Sequence, residues 1–222
     1  MATIILRCRA VTKSDSSKET GEMIEVPAIL DLHETAVAQW HQREIDNPYE
    51  GFLHVVCLQH EQNFRLWHEE DIARSPDVTD AEMARVKRAI DKLNQRRNDL
   101  IEQLDDCLLA ELADSGVPAW SGARLNTETP GSAIDRLSIL ALRLYHMQEQ
   151  AARTDADATH VAKVKARLLV LRQQRADLSA SLAELLADIF AGRKRVKVYH
   201  QFKMYNDPTL NPYLYTAKRP AA

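Results

Sequence analysis

Residues 65–87 read RLWHEEDIARSPDVTDAEMARVK, and residues 143–165 read RLYHMQEQAARTDADATHVAKVK. Sliding the chain by 78 residues lays the first stretch on the second. The match then continues without a gap through Leu93/Leu171, Gln95/Gln173, Arg97/Arg175, Asp99/Asp177, Leu100/Leu178, Leu104/Leu182 and Leu108/Leu186. From Arg65 to Leu108, 15 of 44 positions are identical. Each copy holds a helical pattern, a polar break such as Ser75-Pro76-Asp77, and a second helical pattern, which is the layout of an antiparallel hairpin. The reading is therefore all-α: an antiparallel helical bundle of two repeated hairpins, at 49–112 and 132–191.

Working outward, Val86, Ile90, Leu93, Leu100, Leu104 and Leu108 recur at helical steps and mark a long amphipathic helix. Thr79 or Asp80 caps its start, and Ser115-Gly116-Val117-Pro118 ends it. Upstream, a helix over 49–74 is separated by Asn47-Pro48 from an additional N-terminal helix that begins at Pro27. Downstream, a long connection over 118–130 leads to helices over 132–152 and 159–191, the last closed by Gly192. Ile4, Leu6, Cys8 and Ala10 alternate as one short strand would, and 12–21 reads as a loop. Residues 1–24 thus form a partly flexible extension, 25–216 a single domain with an irregular C-terminal tail, and 217–222 a disordered end.

The bulk properties exclude several classes. A net charge of −3 over 222 residues offers no general pull toward nucleic acid. Three cysteines without metal or redox spacing argue against a disulfide framework and for a reducing compartment. No apolar run reaches the roughly 18 residues of a membrane span, and the apolar start is too short for a secretory signal. A soluble cytoplasmic protein follows, with no nucleic-acid partner and no membrane insertion. Nothing matches a P-loop, a dinucleotide fingerprint or a nucleophile elbow.

Four strings carry a family resemblance: Leu66 to Arg74 (LWHEEDIAR), Ile90 to Asp99 (IDKLNQRRND), Pro130 to Leu140 (PGSAIDRLSIL) and Lys203 to Pro208 (KMYNDP). The chain resembles the bacterial family known as domain of unknown function 4254 over roughly 24–215. The resemblance implies a helical bacterial protein, often encoded near glycosyltransferase genes for envelope polysaccharide. It supplies no activity.

Several constellations invite a chemical reading. His68, Asp71, His146, Glu149, Asp99 and Asp177 have the content of a di-metal carboxylate bundle. With a hairpin turn near Asp77, however, Asp71 and Asp99 lie about 18 Å apart at 1.5 Å per residue and cannot share a metal. The same levels place His68, Asp71 and Lys87 together, and His146, Glu149 and Lys165 at a matching level. That set would form either a polar ring for an anionic ligand or salt bridges fixing the hairpins. Arg97 and Arg175 interrupt apolar stripes, so each needs an acid, a ligand anion or a path to water.

Along the first long helix Asp91, Asn94, Asn98, Glu102 and Asp105 make one polar stripe, where the repeat has Leu169, Arg172, Ala176, Ala180 and Ala183. One outcome is a ligand groove in which Asn94 and Asn98 orient a ligand while Asp91 or Glu102 serves as acid, base or magnesium ligand. The other is a wet face, with the tail and N-terminal helix covering the alanines. The basic, aromatic tail reads as packing back over the bundle.

Two functions follow. In the first, His60, His68, Asp71, Asp91, Asn94, Asn98, Asp99 and Glu102 line a groove for a polar phosphorylated molecule such as a nucleotide-sugar. Magnesium-assisted pyrophosphate hydrolysis is then the least forced chemistry. In the second the chain is a non-catalytic helical adaptor docking on a partner such as a glycosyltransferase. Pairing into a homodimer is compatible with either.

Overall fold

The computed structural model describes residues 25–117, 122–201, 204 and 207–216. The expected strand over 4–10, the loop over 12–21, the rest of the extension and the end at 217–222 lie outside the described residues. The elements are α1 (Val26–Trp40), α2 (Gly51–Ala73), α3 (Asp80–Asp114), β1 (Arg124–Leu125), α4 (Pro130–Ala151), α5 (Ala158–Phe190), β2 (Lys194–Arg195) and α6 (Pro212–Thr216).

The helix starts follow capping chemistry. Thr79 Oγ1 accepts the Glu82 N–H at 3.2 Å to open α3, and Asp157 Oδ1 accepts the His160 N–H at 2.8 Å to open α5. Thr129 does the same for Ser132 at 3.2 Å, with Pro130 in the first turn of α4. Each bond satisfies an N–H that a helix start leaves without a partner. At the far end of α5, Gly192 takes φ 72°, the left-handed conformation that closes a helix with least strain. The ends of α2 and α4, at Ala73 and Ala151, are spaced as the starts of α3 and α5 are, at Asp80 and Ala158.

Helix α2 packs along α3 and α4 along α5, giving two hairpins. Helix α1 lies against α2, α4 and α5, and α4 also touches α2 and α3. The core forms where these meet: Ile29 and Leu32 from α1, Val56 from α2, Leu100 and Leu104 from α3, Leu137 from α4 and Leu182 from α5 are sealed from solvent. Ile90 and Leu93, toward the hairpin turn, are half-buried. An ion pair between Glu69 and Arg85 (3.4 Å) sets the α2/α3 levels as a turn near Asp77 requires.

Three features depart from the expected layout. Helix α1 ends at Trp40, well before Pro48, and the chain beyond it is held by Trp40 Nε1 donating to the Asp46 carbonyl at 3.2 Å. Strands β1 and β2 pair in parallel, Arg124 with Lys194 and Leu125 with Arg195, tying the inter-hairpin connection to the exit of α5. A two-residue ladder leaves no periodic signal to read. The tail, expected to be irregular, contains the short helix α6, led by Pro212.

Candidate functional site

The densest polar chemistry lies inside the bundle. Asp135, on the buried face of α4, accepts Arg97 Nε (2.7 Å), Gln59 Nε2 (2.6 Å) and Asn63 Nδ2 (3.0 Å) on Oδ1, while Arg97 Nη2 bonds Oδ2. Asn63 Nδ2 also donates to Ser138 Oγ at 2.8 Å, and Ser138 Oγ meets His60 Nδ1 at 2.7 Å. His60 Nε2 is buried without a hydrogen-bond partner.

Complete burial pushes the His60 imidazole down to about 3, which keeps it neutral and makes it a poor general base. His33, 4.7 Å away between ring centroids, is held well below the usual histidine range, first by burial and then by His60 and Arg175. Both His33 ring nitrogens are buried without a partner, a state that costs about 1–3 kcal/mol. The cluster gathers Arg97, Gln59 and Asn63 on one carboxylate and reaches Ser138 and His60 through Asn63, leaving Gln59 Oε1 and His60 Nε2 buried without a partner. It locks α2, α3 and α4 together, and Arg97 finds the acid it needs on another helix. Its counterpart Arg175 pairs with Glu34 of α1 and donates to the Leu30 carbonyl at 3.3 Å.

From this cluster a run of rings leads to one end of the bundle. Trp40 stacks on His60 (5.2 Å), Phe64 meets Trp40 and His68, and His41 touches His68 (5.3 Å) and His146 (5.0 Å). His68 and His146, 78 residues apart in the chain, come within 6.1 Å between ring centroids. Tyr145 stacks on His41 and Trp67 on His146. Burial lowers the pKa of His68, helped by His41 and His146 and opposed by Asp71 and Glu149.

His146 Nδ1 pairs with Glu149 at 2.7 Å, so half of the expected ring assembles. Its lysines do not join: Lys87 pairs with Asp91 on the exposed face of α3, and Lys165 is exposed on α5. Among the described residues, no group of three or more His, Cys, Asp or Glu is placed to hold a metal ion.

Much of the polar stripe of α3 is engaged within the chain. Asp91 is tied to Lys87, and exposed Asp99 accepts Gln95 Nε2 at 2.7 Å. Asn94 and Asn98 are half-buried. Glu102 is held by the tail, accepting His200 Nδ1 at 2.6 Å and the Gln201 N–H at 2.8 Å. Asp105 is buried under the start of α4, accepting the Gly131 N–H at 2.7 Å, and burial raises its carboxyl to about 6. The tail thus lies on the polar stripe rather than on the alanine face. Ala176, Ala180 and Ala183 remain exposed.

A concave feature occurs instead between α4 and α5, a depression of about 480 Å³. It is lined by the cations Lys165 and Arg172, by Gln148, and by the apolar Leu168, Leu169, Ala151 and Ala152. Among the described tail residues, Tyr199, Met204, Leu210, Tyr213 and Leu214 are exposed, Tyr213 by 84%.

Sequence reasoning missed Asp135, Gln59 and Ser138 as members of one cluster. A signal existed for one contact, since Ser138 is the 78-residue counterpart of His60. Among the described residues, no helix is long and apolar enough to cross a membrane. No curated protein and no solved structure matches the chain. Residues 53–198, which span α2 to α5 and both members of the Arg97–Asp135 pair, match the family described as Protein of unknown function (DUF4254). The chain belongs to the DUF4254 family.

Proposed function

We propose that this protein acts by docking, as a non-catalytic helical adaptor for an enzyme partner such as a cytoplasmic bacterial glycosyltransferase. The observation that carries this reading is the tail. It is anchored to α3 through Glu102, yet holds Tyr199, Met204, Leu210, Tyr213 and Leu214 in solvent. Large apolar and aromatic groups gathered on one exposed segment are characteristic of a surface awaiting a partner. The state of the acids supports the same reading, because Asp135, Glu102, Asp105 and Asp91 are all engaged within the chain. The partner's class comes from the family resemblance. Titration of a cytoplasmic bacterial glycosyltransferase from the same organism should show binding that Tyr213→Ser and Leu214→Ser together abolish. Unchanged binding by that variant would remove the tail from the account.

The α4/α5 depression favours a second reading, a groove for a polar phosphorylated molecule such as a nucleotide-sugar. Lys165 and Arg172 have no ion-pair partner among the described residues, and a phosphate would supply one beside the apolar lining. A nucleotide-sugar, with or without magnesium, should then raise the melting temperature, and Lys165→Ala with Arg172→Ala should remove the rise. The reading of the two hairpins as copies of one unit is supported by the matching helix ends and by corresponding cap bonds at Thr79 and Asp157. Corresponding Gln95–Asp99 and Gln173–Asp177 bonds, both 2.7 Å, point the same way.

A further inference from the structure

The outer face of α5 is an unpartnered apolar seam. Ala162, Ala166, Leu169, Ala176, Ala180 and Ala183 recur at alternating steps of four and three, apart from Gln173 between Leu169 and Ala176, and all are exposed. Leu169 is 66% exposed and Val170, beside it, 56%. The opposite face, with Val164, Leu168, Leu182 and Leu186, is the one buried in the bundle. A 3.5-residue period of apolar groups suits a left-handed coiled coil with a second helix, and alanines let two backbones approach closely. From Ala162 to Ala187 the seam runs about 37 Å at 1.5 Å per residue.

The charges on α5 say what the second helix is. From Ala158 to Arg175 the helix contains no Asp or Glu, and exposed Lys163, Lys165, Arg167 and Arg172 make that half cationic. From Ala176 to Phe190 it contains no Lys or Arg, and exposed Asp177 and Glu184 make that half acidic. This order runs against the helix's own dipole, which favours acids near the start and cations near the end. The first turn accordingly holds no acid and the last turn no base. A segregation that the isolated helix does not favour is offset by an antiparallel copy of the same helix, where each cationic half meets an acidic half. With the twofold axis between Gln173 and Ala176, Lys163 falls beside Glu184 of the second copy on the shared flank.

We infer that α5 is a self-association surface, on which a second copy of this chain docks its own α5 antiparallel through the Ala162–Ala187 seam. This surface is separate from the tail surface proposed above and does not depend on it.

Sedimentation equilibrium of the full chain tests the inference. The expected species is a dimer, of twice the 25.2 kDa chain mass. Ala176→Glu with Ala180→Glu, which alters exposed positions, should leave helicity and melting of the monomer intact while raising the dimer dissociation constant about tenfold or more, equivalent to about 1.4 kcal/mol. Lys163→Glu alone and Glu184→Lys alone should each weaken the dimer, and combining them should restore it. Three results would overturn the inference: a monomer at all concentrations, a dimer indifferent to the seam variant, or a charge swap without recovery. A monomer that the seam variant destabilises would place another part of the same chain on this face, and would equally overturn it.

Discussion

Arg97 of α3 and Asp135 of α4 meet side on, Nε 2.7 Å from Oδ1 and Nη2 on Oδ2, with Gln59 and Asn63 of α2 filling the rest of the carboxylate's reach. Together with the Gln59, Asn63 and His60 contacts to α4, this pair joins the two hairpins. Its side chains are 24% and 7% exposed, so most of the pair's field is felt in a poorly screened interior. Removing the guanidinium strands a buried carboxylate that two neutral amides cannot neutralise. Arg97→Ala should lower unfolding free energy in urea by about 3 kcal/mol or more. Arg97→Ala combined with Asp135→Asn should cost less than the two single changes added. An unfolding midpoint unmoved by Arg97→Ala would show that the pair holds nothing together.

Stability should fall on acidification from pH 7 to pH 4. His60 is depressed to about 3 and His33 well below its usual range, so the unfolded chain binds protons near 6.5 that the folded chain refuses. Their contribution is present above that pH and is lost as pH falls. Asp105 works the other way: its carboxyl, raised to about 6, stabilises the fold at low pH, and that contribution is lost as pH rises from about 4 through 6. Two histidines outweigh one carboxyl, so the net slope is acid-labile. Asp105→Asn keeps an acceptor for the Gly131 N–H and removes the opposing group, and should steepen the loss. Melting temperatures across this range check both statements, and a profile flat in both proteins would contradict them.

Gly131 sits where helix α4 starts against α3. A Cβ there would stand 2.6 Å from the Ile101 carbonyl oxygen and 2.9 Å from Asp105 Oδ1. The first contact is with helical backbone that cannot step aside alone. Gly131→Ala should therefore cost about 1–3 kcal/mol by forcing the two helices apart, read as a lowered denaturant midpoint. An unchanged midpoint would mean that α4 enters less closely than its contact with Asp105 indicates.

Glu102 ties the tail to the bundle, taking both His200 and the Gln201 N–H. Glu102→Ala should leave the melting temperature nearly unchanged, because α3 does not depend on these bonds. Cleavage by a nonspecific protease between 197 and 216 should become faster. Equal cleavage rates in parent and variant would show that Glu102 does not hold the tail.

The helices were legible because their signals are local. Thr79 and Gly192 mark ends that the backbone must satisfy, and Val86, Leu100, Leu104 and Leu108 mark a buried face. That Arg97 required an acid was legible too, from its place in an apolar stripe. Which acid was not, because the rotation of α4 that brings Asp135 inward depends on Gly131, Ala133 and Leu137 packing across helices rather than on spacing within one. The sharp turn after Trp40 escaped for a similar reason, since a tertiary hydrogen bond to Asp46 ends the local path of the chain. The contrast between the polar stripe and its alanine counterpart was plain in the sequence, yet the tail lies on the polar one, through two bonds to Glu102 that no periodicity announces.

Docking rather than catalysis is the function proposed for this protein, and a calorimetric titration against a cytoplasmic bacterial glycosyltransferase tests it most directly. The account predicts saturable binding that is lost when Tyr213 and Leu214 become serine, with no turnover of a nucleotide-sugar by this chain alone. Absence of binding, together with magnesium-dependent cleavage of the nucleotide-sugar that Lys165→Ala and Arg172→Ala abolish, would contradict it.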